Sequence, residues 1–365
     1  MLLGENGLLN KVMDATEEYS KAEIKEKIEL LLSEYAINKA TGENSDFERF
    51  LTKNLQVGVS RNEHGTYSFI LGEWQVVTSE KNVISIEKFK LDVDKTYPNV
   101  ASMKTDTGLK DGQLVQTEGY WDKQYGGSAY YDIVSNTSLT VDDGKCIQLN
   151  NGLYAKLHPI NNTVTVNQFG AYGDGKHDDA KAIETALNAG YGNVSLESNG
   201  KYKQSTQIRI ESSNLILLGN QATIFNVEDY QSQSGADYHI YIIGNEEKWC
   251  DNITIINLNV ESIKGGDISE IQIGAKYASN VTIEDCNLTI RAEDNHKTTG
   301  ITNIWFHTAW KNINIINNNI LNESQNDAGG SIWFYNQLGN ADTIVVQKND
   351  IRLMCKDEMI NIWRR

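Results

Sequence analysis

The sequence predicts a mainly β protein whose C-terminal half is a parallel β-helix, and two strand patterns are the basis of this prediction. The first is an apolar five-residue strand, such as Asn303-Ile-Trp-Phe-His. It recurs at intervals of 31, 33, 28 and 30 residues, and its copies begin at His239, Glu270, Asn303, Ser331 and Asn361. A period of this length is typical of solenoids, in which each repeat buries its apolar side by stacking on the next.

The second pattern is another strand family, which alternates with the first. Its copies begin at Asn214, Asn252, Asn280, Asn312 and Thr343. A column with steps of 28, 32 and 31 residues accompanies these strands and predicts a ladder of stacked turns, formed by Asn259, Asn287, Asn319 and Asp350. Because hairpin turns between neighbouring strands are missing, parallel stacking of two or three strands per repeat is favoured over an antiparallel sandwich.

Two smaller segments precede the repeats. Residues 1–53 are predicted to be a helical segment, in which Ile24, Ile28, Leu31 and Tyr35 recur at helical spacing. Two heptads are too few to establish a coiled coil, so this stripe fits a short bundle between subunits and packing on the next module of the chain equally well. Residues 54–96 are predicted to be a small antiparallel β module of short strands separated by turn-like sequences.

A connector and a cap lead into the solenoid. Residues 97–163 are rich in glycine and tyrosine, and the pair Gly126-Gly127 permits positive φ and a tight chain crossing. Residues 164–365 form the predicted β-helix. Its first strand leads through a glycine turn into a helix near 178–189, whose N-terminus Asp178 or Asp179 is expected to cap. This amphipathic helix is expected to cover the open first turn of the solenoid.

Composition excludes several classes of function. The formal net charge of −16 argues against nucleic acid and anionic membranes as the main partner. No apolar stretch is long enough to predict a transmembrane helix, and the first residues are too polar for a signal peptide. The four cysteines (Cys146, Cys250, Cys286 and Cys355) are widely spaced, so free thiols are expected, and neither a metal site nor a cofactor is predicted.

The first strand family also predicts a binding surface. Alignment of its copies puts apolar residues at two inward positions, so the residue between them faces outward. This outward column holds Tyr241, Gln272, Trp305, Trp333 and Trp363, and two residues further along lie His307, Tyr335 and Arg365. Successive turns are about 4.8 Å apart, which approximates the repeat of an extended sugar chain. The tryptophans with His307 and Tyr335 are therefore expected to bind a glycan; packing against a loop or a neighbouring subunit is the alternative.

Carboxylates in the turns before the tryptophan strands are candidates for chemistry on that glycan. Glycosidic hydrolysis uses two carboxyl groups, about 5–5.5 Å apart for retention or about 6.5–9.5 Å apart for inversion. Stacked turns would bring acidic side chains to such distances, and their like charges would suit one of them to act as a general acid. The acid and its partner are expected to be two of Glu293, Asp294, Glu323, Asp327, Asp357 and Glu358. Asp327 is favoured because the two glycines after it leave room for a ligand.

Two motifs carry a resemblance to known proteins. Phe169-Gly-Ala-Tyr-Gly-Asp-Gly, with Asp178-Asp179 after it, resembles the N-terminal signature of the pectate-lyase-like β-helix superfamily. The upstream run Glu118-Gly-Tyr-Trp, followed by Gly126-Gly127, is similar to the head-to-helix segment of bacteriophage tailspikes and preneck appendages. The resemblance implies a right-handed parallel β-helix in a homotrimeric virion protein. Such proteins bind, and often depolymerise, a host-surface polysaccharide or teichoic acid.

The resemblance further implies a setting and a set of rival functions. The N-terminal region would attach to virion tail or neck proteins, and the chain would be made in the host cytoplasm. A glycan hydrolase is the leading function, a non-enzymatic receptor-binding or structural spike is the alternative, and a pectate-lyase-like polysaccharide lyase is the third. The fifth strand copy ends in Arg364-Arg365, with Arg364 at an inward position and no cap after it, which predicts a truncated C-terminal end.

Overall fold

The computed structural model describes residues 20–42, 46–62, 64–71, 74–136, 138, 140–231, 236–264, 269–292, 301–323, 330–336, 343–353 and 360–364. These residues form two compact units. The first holds the described residues up to Val93 together with Pro159–Thr163, and the second holds Asp94–His158 and the described residues from Val164 onward. None of the helices in the described ranges is both long enough and apolar enough to cross a membrane.

The first unit packs two helices on an antiparallel sheet. Its elements are α1 Lys21–Thr41, α2 Phe47–Leu55, β1 Ser60–Arg61, β2 Tyr67–Leu71, β3 Trp74–Thr78 and β4 Val83–Lys88, with the strands paired in the order β1-β2-β3-β4. Ser20 and Glu23 form a capping box at the start of α1. The apolar stripe from Ile24 to Tyr35 is buried in one core with Phe47 and Phe69. Of the two alternatives for this stripe, packing on the next module of the same chain is the one observed.

The second unit begins with a five-stranded sheet. Its elements are β5 Lys95–Tyr97, α3 Val100–Thr105, β6 Leu114–Thr117, β7 Ala129–Val134, β8 Cys146–Gln148 and β9 Tyr154–His158, and the strand order is β5-β6-β7-β9-β8. Gly126 and Gly127 both have positive φ, at 71° and 76°. A Cβ at Gly127 would collide with the backbone carbonyl of Asn167, so the tight crossing predicted for this pair is present.

The rest of the second unit confirms the predicted solenoid, which has about five turns. Its elements are β10 Thr163–Thr165, β11 Asp174–Asp178, α4 Ala180–Asn188, β12 Asn193–Ser195, β13 Lys201–Thr206, β14 Ile208–Ile210, β15 Leu215–Leu218, β16 Thr223–Gln231, β17 Ala236–Ile243, β18 Cys250–Ile256, β19 Asn259–Lys264, β20 Ser269–Glu284, β21 Asn287–Ala292, β22 Ile301–Ile316, β23 Asn319–Glu323, β24 Ile332–Asn336, β25 Ile344–Gln347, β26 Asp350–Leu353 and β27 Ile360–Arg364.

Successive strands of the solenoid pair in parallel from one turn to the next, and they form three faces. One face contains β12, β15, β18, the second half of β20, the second half of β22 and β25. Another contains β11, β13, β16, β19, β21, β23 and β26. The third, here called the aromatic face, contains β14, β17, the first half of β20, the first half of β22, β24 and β27.

The predicted turn ladder is present, with one refinement. Asn259, Asn287, Asn319 and Asp350 are register partners on successive strands. These residues begin strands and do not have positive φ. The left-handed residues of this turn lie two positions earlier, at Asn257, Asp285, Asn317 and Lys348, with φ between 55° and 57°. The ladder and the left-handed turn are therefore adjacent and distinct.

The helix expected near 178–189 is α4, and its apolar side, including Ile183 and Leu187, is buried in the core of the solenoid. The carboxylate of Asp179 accepts hydrogen bonds from the backbone N–H groups of Tyr172 (2.7 Å) and Gly173 (3.1 Å) and makes no cap bond to the helix. Asp178 instead accepts the N–H of Ala180 at 3.2 Å. Asp179 thus fixes the glycine turn before the helix.

Candidate functional site: the aromatic face

The aromatic face carries a row of aromatic side chains on the outside of the sheet. Trp305 and Trp333 are direct register partners on β22 and β24. Both are half-buried, and each lies between two fully buried apolar residues, as in Ile304 and Phe306 beside Trp305. Because those flanking residues belong to the interior core, alternation along the strand puts the indoles outside. Two neighbouring turns therefore present tryptophan at the same outward position.

Tyr241 extends this column by two turns, and Gly274 occupies the turn between Tyr241 and Trp305. The ring of Tyr238 lies over Gly274 and stacks on Tyr241, with ring centroids 4.0 Å apart and planes 8° apart. A Cβ at position 274 would collide with the Tyr238 ring. The missing side chain is thus the reason that the two tyrosines can stack flat against the sheet.

These rings form a small hydrophobic cluster of their own outside the solenoid core. Tyr238, Tyr241 and Ile271 are buried in it, and Ile243 and Trp305 pack against it. The centroids of Tyr238 and Trp305 are 6.3 Å apart, with planes 19° apart. The cluster therefore fixes the orientation of Trp305 at one edge of the aromatic row.

His307 joins the two tyrosines by hydrogen bonds. Its Nε2 lies 3.0 Å from the hydroxyl of Tyr241 and 3.3 Å from that of Tyr238, and its Nδ1 lies 3.0 Å from the hydroxyl of Thr308. Burial, and next the charge of Lys276, lower the pKa of His307 to about 4. His307 is neutral at physiological pH, so it acts on this face as a hydrogen-bonding group without charge.

The indole N–H groups of Trp305 and Trp333 are shielded from solvent and have no hydrogen-bond partner among the described residues. Buried N–H donors in folded proteins nearly always have an acceptor, because leaving one unpaired costs about 1–3 kcal/mol. The face therefore holds two donors, on adjacent turns, for which the described part of the chain offers no acceptor.

Gln272 was expected on the outer face, and this prediction was wrong. Its side chain is fully buried inside the solenoid, where its Nε2 donates to the carbonyls of Val260 and Thr289, each at 2.8 Å. Asn303, one turn further on, is also fully buried and donates to Gln272 Oε1 at 2.8 Å. The strands bend here, so two consecutive residues face inward and the simple alternation fails.

Trp363 was aligned with Trp333, and the register shows that this was wrong too. Trp333 pairs with Asn361, and Trp363 pairs with Tyr335. The register partner of Phe334 is Ile362, whereas Arg364, which was expected at that position, pairs with Asn336. Tyr335 is half-buried, and its register partner on the following strand is Trp363.

Among the six carboxylates expected to do the chemistry, Glu323 lies in the described part of the chain. It ends β23 on the neighbouring face, in register with Arg291, and its Oε2 lies 3.1 Å from the Nε of that arginine. Among the described residues its ion-pair partner is therefore a cation, whereas a second carboxylate was expected nearby. The other five, Glu293, Asp294, Asp327, Asp357 and Glu358, lie outside the described residues.

Sequence reasoning missed Tyr238 and Gly274. Tyr238 lies before the bend in the strand, so alternation does not predict which way its side chain faces. Gly274 has no side chain, so the sequence gives no sign that the ring of Tyr238 covers it. Tyr238 and Tyr241, close together on either side of Ile240, were the available hint.

Comparison with solved structures finds proteins of similar fold at low sequence identity. Tailspike protein 2 of bacteriophage CBA120 is matched in its enzymatically active domain at 14% identity and a TM-score of 0.40, over 69% of this chain and 43% of that one. The tailspike gp49 of Acinetobacter baumannii bacteriophage Fri1, described as a capsular polysaccharide depolymerase, is matched at 13% identity and a TM-score of 0.32, over 73% and 69%.

WceF of Pantoea stewartii, described as a glycan biofilm modifying enzyme with a tailspike-like parallel β-helix, is matched at 11% identity and a TM-score of 0.33, over 80% of this chain and 52% of that one. The chain spans less than half of the CBA120 domain. At these identities and scores the similarity concerns the fold alone. No protein-family model and no curated protein matches the sequence.

Proposed function

We propose that this chain is a subunit of a phage tailspike or appendage that binds a host-surface polysaccharide or teichoic acid along the aromatic face. The observation that carries the proposal is the in-register pair Trp305 and Trp333, half-buried on the outside of adjacent turns. Their spacing of about 4.8 Å is close to the length of one sugar unit. Aromatic rings stack on the apolar faces of pyranoses.

The remaining predicted residues extend this surface. Tyr335 and Trp363 would continue the binding row along the next column, and His307 would hold Tyr238 and Tyr241 in place beside Trp305. His307 is neutral, so it offers no positive charge to pair with an anionic sugar. A charged imidazolium in this half-buried position would need a counter-ion, and an uncharged sugar could not supply one.

We further propose that the bound polymer is hydrolysed by two carboxyl groups, of which Glu323 and Asp327 are the favoured pair. Glu323 lies in an ion pair with Arg291, and we assign it the role of base or nucleophile. Asp327, four residues later, would then be the general acid. Glu293, Asp294, Asp357 and Glu358 are the other members of the set.

The test is digestion of a purified polymer by the purified protein: reducing ends are measured for capsular polysaccharide, and phosphate monoesters for wall teichoic acid. Glu323→Gln and Asp327→Asn are each expected to lower the rate at least about a hundredfold. Asp350→Asn is the matched control, because Asp350 is an exposed carboxylate on the same face as Glu323 and is also paired with an arginine, Arg352. It is expected to leave the rate unchanged.

Other results would identify the rival functions. Adsorption to cells without any cleavage would indicate a receptor-binding or structural spike. Products that absorb in the ultraviolet and form only with calcium would indicate a polysaccharide lyase.

Two further features of the proposal concern assembly. The chain is proposed to form a homotrimer and to attach to virion tail or neck proteins through the segment 1–53. Analytical ultracentrifugation of the purified protein tests the first, and a sedimenting monomer would contradict it.

A further inference from the structure

A second group of aromatic side chains lies where the connector meets the start of the solenoid. Trp121 stacks on Tyr172, with ring centroids 5.1 Å apart and planes 9° apart. Tyr172 stacks in turn on the imidazole of His177, at 3.8 Å and 17°. Tyr125 meets Tyr172 edge-on at 5.0 Å. The three nearly parallel rings, Trp121, Tyr172 and His177, are here called the cap stack.

Hydrogen bonds at both ends fix the cap stack. The indole Nε1 of Trp121 donates to the carbonyl of Gly170 at 2.8 Å. His177 is held by Asp174, whose carboxylate lies 2.9 Å from its Nδ1 and accepts its backbone N–H at 3.1 Å. The rings are therefore ordered before any ligand arrives, which removes much of the entropic cost of binding.

Trp121 is nevertheless 45% exposed, and it is the one aromatic residue among the exposed large apolar side chains of the described ranges. Its neighbours along the chain, Asp122 and Lys123, are exposed and polar, as is His177. A stable protein interface needs a broad patch with an apolar core, which this rim of charged groups does not offer. One indole surrounded by hydrogen-bonding groups matches a single sugar ring, which has one apolar face and polar edges.

We propose that the cap stack is a second carbohydrate site, in which Trp121 binds one pyranose of a neutral glycan independently of the aromatic face. Asp122 and the carboxylate of Asp174 lie beside the stack together with Lys123, so these groups carry no excess of positive charge that would select an anionic sugar. The site belongs to the connector and the first strand of the solenoid, whereas the aromatic face begins at β14. It would hold polymer already engaged elsewhere on the same molecule and raise affinity through multivalency.

The test uses an array of purified bacterial capsular and O-antigen polysaccharides, probed with the full chain. Trp121→Ala is expected to weaken binding of the best-bound polymer at least about tenfold, and Trp121→Phe to weaken it less, because the phenyl ring keeps part of the stack. Val141→Ala is the matched control, since Val141 is an apolar side chain of the same unit with 41% exposure. It is expected to bind as the parent does.

A fluorescence measurement on the parent protein covers the case in which Trp121→Ala does not fold. The parent and Trp121→Phe share all tryptophans except Trp121, so the difference between their emission spectra is the emission of Trp121. Saturating polysaccharide is expected to protect that emission from quenching by acrylamide. Unchanged quenching with bound polymer would overturn the proposal.

The remaining outcomes separate this site from the aromatic face. Binding that is lost in Trp333→Ala and kept in Trp121→Ala would overturn the cap-stack proposal and leave the proposed function intact. A parent that binds no polysaccharide would overturn both. If Trp121→Ala instead dissociates an oligomer in sedimentation, the occupant of Trp121 is a second copy of the chain, and the sugar site is contradicted.

Discussion

His307 shows how one side chain links the chemistry of the aromatic face to stability. Its pKa of about 4 in the folded chain lies below the ordinary value near 6.5, chiefly because the ring is buried and next because Lys276 is close. The unfolded chain therefore takes up a proton between these pH values and the folded chain does not. The stability that depends on neutral His307 is complete above about pH 6.5 and is lost as the pH falls toward 4.

His307→Gln removes this titration and keeps a polar side chain beside the tyrosines. Between about pH 7.5 and about pH 4.5, the free energy of unfolding of the parent is expected to fall by about 2 kcal/mol more than that of the variant. Urea unfolding of both proteins at the two pH values measures the difference. Because all other titrating groups are shared, an equal fall in parent and variant would show that His307 is not kept neutral by the fold.

Gly274 is the second residue on which the aromatic face depends. Gly274→Ala places a methyl group against the ring of Tyr238, and the displaced ring is expected to cost about 1–3 kcal/mol of unfolding free energy. A double-mutant cycle with Tyr238→Ala isolates the contact, since the collision is with that ring and the next neighbour, the ring of Tyr241, lies 3.3 Å away. The two losses should be far from additive. Additive losses would mean that Tyr238 does not lie over Gly274.

At the scale of the strand and turn, the solenoid is held by polar side chains inside it as well as by apolar stacking. Asn318 is buried, and its Nδ2 donates to the carbonyl of Ile283 and to Asn349 Oδ1, both at 3.0 Å. Its Oδ1 accepts the N–H of Cys286 at 2.9 Å. One asparagine thus joins three successive turns.

Asn318→Leu keeps the volume and leaves these buried partners without a hydrogen bond. A loss of about 2–4 kcal/mol is expected in chemical unfolding. Asn319→Ala is the matched control, because the next residue is exposed, and its change should stay within about 0.5 kcal/mol. Equal effects of the two substitutions would contradict the structural role of the buried amide.

The sequence predicted the strands better than their register, and the reason is the two-residue period of a strand. The second copy contains Ile271 and Ile273, and the fifth contains Ile360 and Ile362, so a shift of two residues leaves an equally apolar pattern on the inward side. The copies beginning at His239, Asn303 and Ser331 aligned correctly. Only pairing between turns removes the ambiguity, and it moved Trp363 from the Trp333 column to the Tyr335 column.

Some residues of the predicted site lie where the sequence placed them and others do not, and the regularity of the strand decides which. The outward tryptophans follow from alternation, which holds where the strand is regular. The burial of Gln272 and the place of Tyr238 depend on a bend that no residue type announces. The carboxylates were chosen from turns, whose geometry follows no period, and Glu323 shows the result: its neighbour across the turns is Arg291.

For the whole molecule, the net charge of −16 determines which polymers approach easily. At long range it repels anionic chains, although salt screens this repulsion beyond about 10 Å at 0.1 M. Stacking of a neutral sugar on Trp305 and Trp333 does not depend on ions.

Binding of an uncharged capsular polysaccharide is therefore expected to change less than about twofold between about 50 mM and about 500 mM sodium chloride. Isothermal titration calorimetry at the two concentrations is the measurement. An affinity that falls about tenfold with salt would show that attraction between opposite charges carries the binding. Lys276, the cation close to His307, would then be the first residue to substitute.

The central claim is that the aromatic face is where polysaccharide binds, and a crystal structure with a bound oligosaccharide tests it most directly. The expected result is continuous density for sugar rings stacked against Trp305 and Trp333. Density elsewhere on the molecule, with this face covered by a neighbouring subunit, would contradict the claim and make the tryptophans part of an interface.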